Sequence, residues 1–292
     1  MRFRYILLDF DGTLTATDRI IEPFMADFRA GFLDAVGRRH AAVWDRAEAA
    51  VRLGSPHLAW MLDKYEACPA AADPYTLASA VGERVLGSLA GTPGHDPKEY
   101  ESLGYTLYKA LYEKHHAPFR DETKQVLERF VATGATVAVI SNSKPDKVGG
   151  RLDDLLGARS PVRQAIEVFG DARKFGVRDA TAGGPHRPAF EALPDAVGAI
   201  GLGRPTWLRR GAFFDALATV WKQDANAPRD TIFCGDIWEL DLALPAALGC
   251  ATHLVERLPS LATTEAERAA VAAMPRAAFS KDLNGLLARV VG

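Results

Sequence analysis

Two aspartates close a short apolar run near the start of the chain, where Tyr5-Ile6-Leu7-Leu8 passes directly into Asp9-Phe10-Asp11-Gly12-Thr13. An unbroken apolar run of this length suits a strand buried on both faces of a parallel sheet. Open α/β sheets take their ligands at the carboxyl ends of such strands. In extended backbone, residues two apart point the same way, so Asp9 and Asp11 can converge on one small volume. Two carboxylates that close repel, and one rises in pKa unless a cation joins them. A hard divalent ion that prefers oxygen, such as Mg²⁺, would relieve the repulsion. Gly12 lets the backbone turn tightly, and Thr13 and Thr15 add hydroxyls. The plain structural alternative is a strand end followed by an ordinary Asp-Gly turn.

Two later segments repeat the pattern of an apolar strand ending in polar residues. Thr136-Val-Ala-Val-Ile140 runs into Ser141-Asn142-Ser143. A hydroxyl there can hydrogen-bond a phosphoryl oxygen, and the backbone N–H groups that follow can form an anion nest. Ser and Asn also favour a helix N-cap, which is the ordinary reading of that position. Thr231-Ile-Phe-Cys234 runs into Gly235-Asp236, with Asp241 five residues further on. Gly235 allows close approach, and Asp236 can complete a Mg²⁺ site with Asp9 and the main-chain carbonyl of Asp11. Asp241 is expected to open the next helix and to accept from a metal-bound water or a neighbouring donor.

In this order, the three strand ends resemble the first, second and fourth motifs of the haloacid dehalogenase superfamily. The resemblance implies a nucleophilic Asp9 that forms an aspartyl-phosphate, and Asp11 as general acid and base. It makes Ser141 a catalytic contact for the phosphoryl group, with Gly12 and Asn142 as substrate contacts and Mg²⁺ held by Asp9, Asp11 and Asp236. The third motif, a cation for the transferred group, is ambiguous. Lys144-Pro145 falls directly after the second motif, which is too early, and Lys174, Arg204, Arg209 and Arg210 compete for the role. Lys174 is preferred because it follows a strand directly and its ammonium is compact. Arg210, just ahead of a helix, is the second choice, as a substrate contact. The implied activity is Mg²⁺-dependent hydrolysis of a small phosphorylated metabolite. A halide leaving group needs no proton whereas an alkoxide does, so the acid Asp11 favours phosphate esters over the dehalogenase branch. A phosphomutase, or a catalytically idle binding module with this fold, is the alternative.

These motifs must be positioned by an α/β core: a doubly wound, Rossmann-like parallel sheet with an inserted helical cap domain. The core is expected over 1–16 and 117–292 and the cap over 17–116. An insertion of about 100 residues is too long for a plain crossover. Phe24, Phe28, Phe32 and Val36 recur at helical spacing, as do Leu58, Met61, Leu62 and Tyr65. A last cap helix is expected from Glu99 to Lys114. The Gly- and Pro-rich stretch 176–205 reads as an irregular excursion that could carry a hairpin. His57, His95, His115 and His116 read as surface or satisfied core histidines.

The 292 residues carry a net charge of −2 and 48% hydrophobic residues. No basic excess points to nucleic acid. No apolar run reaches the ~18 residues of a membrane span, and no signal peptide is visible. The three cysteines, Cys68, Cys234 and Cys250, have neither disulfide nor zinc spacing. A reducing cytoplasm is the expected compartment.

Overall fold

A computed structural model of the chain describes all residues except 1, 2, 56, 63, 93–96, 101, 199, 200 and 258. His95 therefore lies outside the described residues. The organising strand is β1 (Tyr5–Leu8). The chain then leaves the sheet for α1 (Ile21–Val36), α2 (Ala41–Gly54), β2 (Ala59–Leu62), β3 (Tyr65–Pro69), α3 (Pro74–Leu89) and α4 (Leu103–Lys114). It returns through α5 (Thr123–Ala132), β4 (Thr136–Ile140), α6 (Pro145–Leu156), α7 (Pro161–Gln164) and β5 (Ile166–Phe169). The excursion that follows holds α8 (Arg187–Glu191), β6 (Ala196–Gly198) and β7 (Pro205–Trp207). The rest is α9 (Gly211–Trp221), β8 (Thr231–Gly235), α10 (Ala243–Ala247), β9 (Ala251–Val255), α11 (Glu265–Ala272), β10 (Ala277–Ser280) and α12 (Leu283–Val291).

The main sheet is parallel and reads β10-β9-β8-β1-β4-β5. The α/β architecture is thus doubly wound, with β1 at the point where strand order reverses. Alternation along β1 divides the core. Ile6 and Leu8 pack with Val126, Phe130, Val148 and Leu286 on one face. Tyr5 and Leu7 pack with Phe213, Phe214, Leu217 and Leu242 on the other. Ile6, Leu7 and Leu8 are fully buried, and each such side chain contributes about 1.5–3 kcal/mol. The segment between β1 and β4 builds its own apolar cluster around Phe24, Phe28, Phe32, Trp44 and Val81. Among the described residues, no helix is long and apolar enough to cross a membrane.

Three elements differ from the sequence reading. Leu58, Met61, Leu62 and Tyr65 match a helical stripe, yet Ala59–Leu62 and Tyr65–Pro69 pair as an antiparallel hairpin. Tertiary partners decide it. Trp60 meets Phe175 edge-on and donates to Ser79 Oγ, while Tyr65 packs against Trp207. The inserted segment is therefore not wholly helical. Its last helix begins at Leu103 rather than Glu99, and a short 3₁₀ turn spans Pro97–Tyr100. The third difference is β10 with its preceding helix α11, which follow the strand at 251–255 that reads from sequence as the last. Within the excursion, β6 and β7 do form a hairpin.

Candidate active site

The loops after β1, β4 and β8 meet at the carboxyl edge of the sheet, because these three strands are neighbours. They carry Asp9, Ser141 and Asp236, which are 5%, 1% and 1% exposed. Lys174, after β5, reaches in beside them. Its Nζ lies 2.5 Å from Asp9 Oδ1 and 2.5 Å from Asp241 Oδ1. Burial opposes the ammonium, but Asp241 and Asp9 outweigh it and hold the Lys174 pKa above its ordinary value.

The turn that presents Lys174 is held from the β4 loop. Asn142 Oδ1 accepts from the Lys174 backbone N–H at 2.7 Å. Ser141 and Ser143 carbonyls accept from Ala172 and Asp171 N–H groups. Asp171 and Arg173 take left-handed backbone, with φ of 50° and 44°. Such conformations cost free energy and persist where surrounding contacts over-determine them. Asn142 thus shapes the lysine loop through its side chain. The Ser141 hydroxyl accepts from the Ser143 N–H at 3.0 Å.

Asp9, Asp236 and Asp241 each bring an oxygen into a group spanning no more than 4.8 Å. Asp241 also accepts from the Ile237 N–H at 3.0 Å. Thr13 Oγ1 lies 3.0 Å from Asp9 Oδ2 and 3.3 Å from Asp236 Oδ1. Asp236 Oδ2 is buried and has no hydrogen-bond partner among the described residues. A Cβ on Gly12 would come within 2.3 Å of that oxygen, and Gly12 has φ +87°. Gly12 is therefore required by the packing of Asp236. Burial raises Asp9 to about 7, against the pull of Lys174 and with Asp241 adding. Burial, then Asp241 and Asp9, push Asp236 well above the usual carboxylate range. Behind it, Arg257 donates to the Asp236 carbonyl and forms a bidentate pair with Glu267, at 2.9 and 2.6 Å. One ammonium for three buried carboxylates, with an orphaned oxygen among them, fits a hard divalent cation.

The Asp11 carboxylate turns away from this group. Its Oδ2 accepts from Ser143 Oγ and, at 3.0 Å, from Tyr112 Oη. Asp11 thus brings no carboxylate to the candidate metal cluster. Tyr112 belongs to α4, so the inserted segment contributes a polar atom to the site. Neither Tyr112 nor Ser143 was singled out from sequence. Ser143 could have been, since it lies two residues beyond Ser141, whereas Tyr112 has no local signal.

Of the four candidate cations, Lys174 alone reaches the carboxylate cluster. Arg210 is 1% exposed and donates to three carbonyls, those of Trp207, Lys174 and Ala67, at 2.8, 2.6 and 2.9 Å. Its guanidinium is committed to backbone and is not presented to a substrate. Arg204 pairs with buried Glu239, and Arg209 with Asp179. His57 lies 3.4 Å from the Leu202 carbonyl and His115 meets Asp27 at 2.7 Å, away from the cluster. The three cysteines are free and buried.

No family model matches the chain, and no curated protein matches it. Solved structures do. A protein described as a predicted phosphoglycolate phosphatase from Haemophilus somnus 129pt is 15% identical, with a TM-score of 0.51, over 99% of this chain and 98% of that one. A HAD phosphatase from Thermococcus onnurineus is also 15% identical, with a TM-score of 0.50, over 100% and 99%.

Proposed function

We propose that this chain, which has the haloacid dehalogenase-like fold, is a Mg²⁺-dependent phosphohydrolase of that superfamily acting on a small phosphorylated metabolite. The observation that carries the reading is the pairing of Asp9 with Lys174 at the switch point of the sheet, beside Asp236, with Asp11 turned outward from the same turn. In the proposed reaction, Asp9 attacks phosphorus, the ester P–O bond breaks, and Asp11 gives its proton to the departing oxygen. Water then attacks the aspartyl-phosphate, Asp11 takes the proton back, and inorganic phosphate is released. Lys174 and the Ser141 hydroxyl face the oxygens of the transferred group, where charge develops. Asp9, Asp236 and the Asp11 main-chain carbonyl, with Asp241 beside them, would hold the Mg²⁺ ion, which would supply charge neutralisation at the phosphoryl oxygens.

The proposed division is a core of 1–16 and 117–292 and a cap of 17–116 that excludes water from the cleft and selects the substrate. The need for a proton at the leaving oxygen separates this reading from dehalogenation. The test is hydrolysis of p-nitrophenyl phosphate with Mg²⁺ and with EDTA, together with Asp9→Asn. Activity is expected only with the ion, and the variant should lose on the order of 10³-fold or more. Retention within about tenfold in Asp9→Asn would remove Asp9 from the covalent step.

A further inference from the structure

We infer that Tyr112 is a positioning residue for Asp11, fixing from the inserted segment which carboxyl oxygen meets the leaving group. The inference rests on Asp11 being the acid of the proposed reaction.

Three observations carry it. First, Tyr112 Oη and Ser143 Oγ both approach Asp11 Oδ2, one from α4 and one from the β4 loop. Two donors on one oxygen fix the rotation of the carboxyl group. Second, the Tyr112 ring is held from several directions. It stacks on Tyr108 at 5.4 Å and meets Tyr75 edge-on at 5.1 Å. Tyr75 follows Asp73, whose carboxylate caps α3. From the opposite side, Lys147 of α6 sits 3.2 Å from the ring centroid and donates to the Tyr112 carbonyl at 2.8 Å. A hydroxyl fixed this firmly is not a surface tyrosine that happens to touch the site. Third, the Tyr112 and Ser143 hydroxyls, one from α4 and one from the β4 loop, also lie against each other. The two donors converge on Asp11 only where α4 lies against the β4 loop.

In the first step Asp9 bonds to phosphorus, the ester bond breaks, and the Asp11 proton moves to the departing oxygen. An alkoxide needs that proton, whereas p-nitrophenolate leaves readily without it. The test compares kcat and KM of wild type, Tyr112→Phe and Ser143→Ala on two substrates. One is p-nitrophenyl phosphate, and the other is the alkyl phosphate turned over fastest in a panel of small metabolites. Tyr112→Phe keeps the stacked ring, and a melting curve checks that it folds. Both variants should lose about 10- to 100-fold in kcat on the alkyl ester, with KM nearly constant. The loss on the aryl ester should be at least about tenfold smaller. Equal losses on both esters, or a wild type that turns over only the aryl ester, overturn the inference. Retained activity in Asp9→Asn overturns the reading beneath it instead.

Discussion

Replacing Lys174 by Met tests the electrostatics of the site most directly. The ammonium is 1% exposed and bridges Asp9 and Asp241, at 2.5 Å each. At an effective dielectric near 20, one such contact carries about 6–7 kcal/mol of attraction. Desolvation of the three groups cancels much of that gain, and breaking a buried pair costs about 3–5 kcal/mol in measured cases. Lys174→Met should therefore lose about 3–5 kcal/mol in urea denaturation with EDTA. Saturating Mg²⁺ should recover a large part, because the ion binds the folded cluster alone. Turnover should fall by about 3 kcal/mol of transition-state stabilisation, roughly 150-fold. Arg210→Met should cost activity less, because its guanidinium touches only carbonyls. A variant within about 1 kcal/mol of wild type in EDTA would refute the ion-pair argument. A larger kinetic loss in Arg210→Met would refute the choice of Lys174.

Two other predictions follow from named atoms. Mg²⁺ should raise the melting temperature of wild type but not of Asp236→Ala, since Asp236 carries the orphaned oxygen; a rise that survives the substitution would place the ion elsewhere. His253 is 2% exposed, shares a hydrogen bond with Ser280, and is lowered by burial and then by Arg289 from 6.5 to about 4. The unfolded chain binds that proton more readily, so stability should fall as pH drops from about 6.5 to 4, by about 3 kcal/mol in total. His253→Asn should flatten that part of the denaturation profile, and identical slopes in variant and wild type would count against it.

The core was legible because its signals are local. Each of β1, β4 and β8 is built on an unbroken apolar run, and the observed ends lie within a residue of those read from sequence. The chemistry sits directly after such runs, so Asp9, Ser141 and Asp236 could be ordered without knowing the fold. Lys174, five residues past the end of β5, was preferred over three arginines rather than singled out. What failed depends on contacts made across the chain. The hairpin at 59–69 carries apolar residues at helical spacing, and only Phe175 and Trp207 make it a pair of strands. Arg210 looked available at a helix start, yet the Trp207 carbonyl and two carbonyls from distant segments hold its guanidinium. Tyr112 is one of several tyrosines on α4, and nothing in its neighbours marks it as the one that meets Asp11.

The Arg210 clasp bears on how this molecule could be taken apart. One guanidinium joins strand β3 of the inserted segment, the lysine loop of the core and the end of the excursion hairpin. Tyr65 and Glu66 meet Trp207 beside it. The contacts between the inserted segment and the core therefore involve more than one stretch of sequence. A chimera that transplants the insertion alone would part Arg210 from the Ala67 carbonyl and Trp207 from Tyr65 and Glu66. Residues 205–210 would have to travel with the insertion to keep these contacts, so two pieces far apart in sequence act here as one.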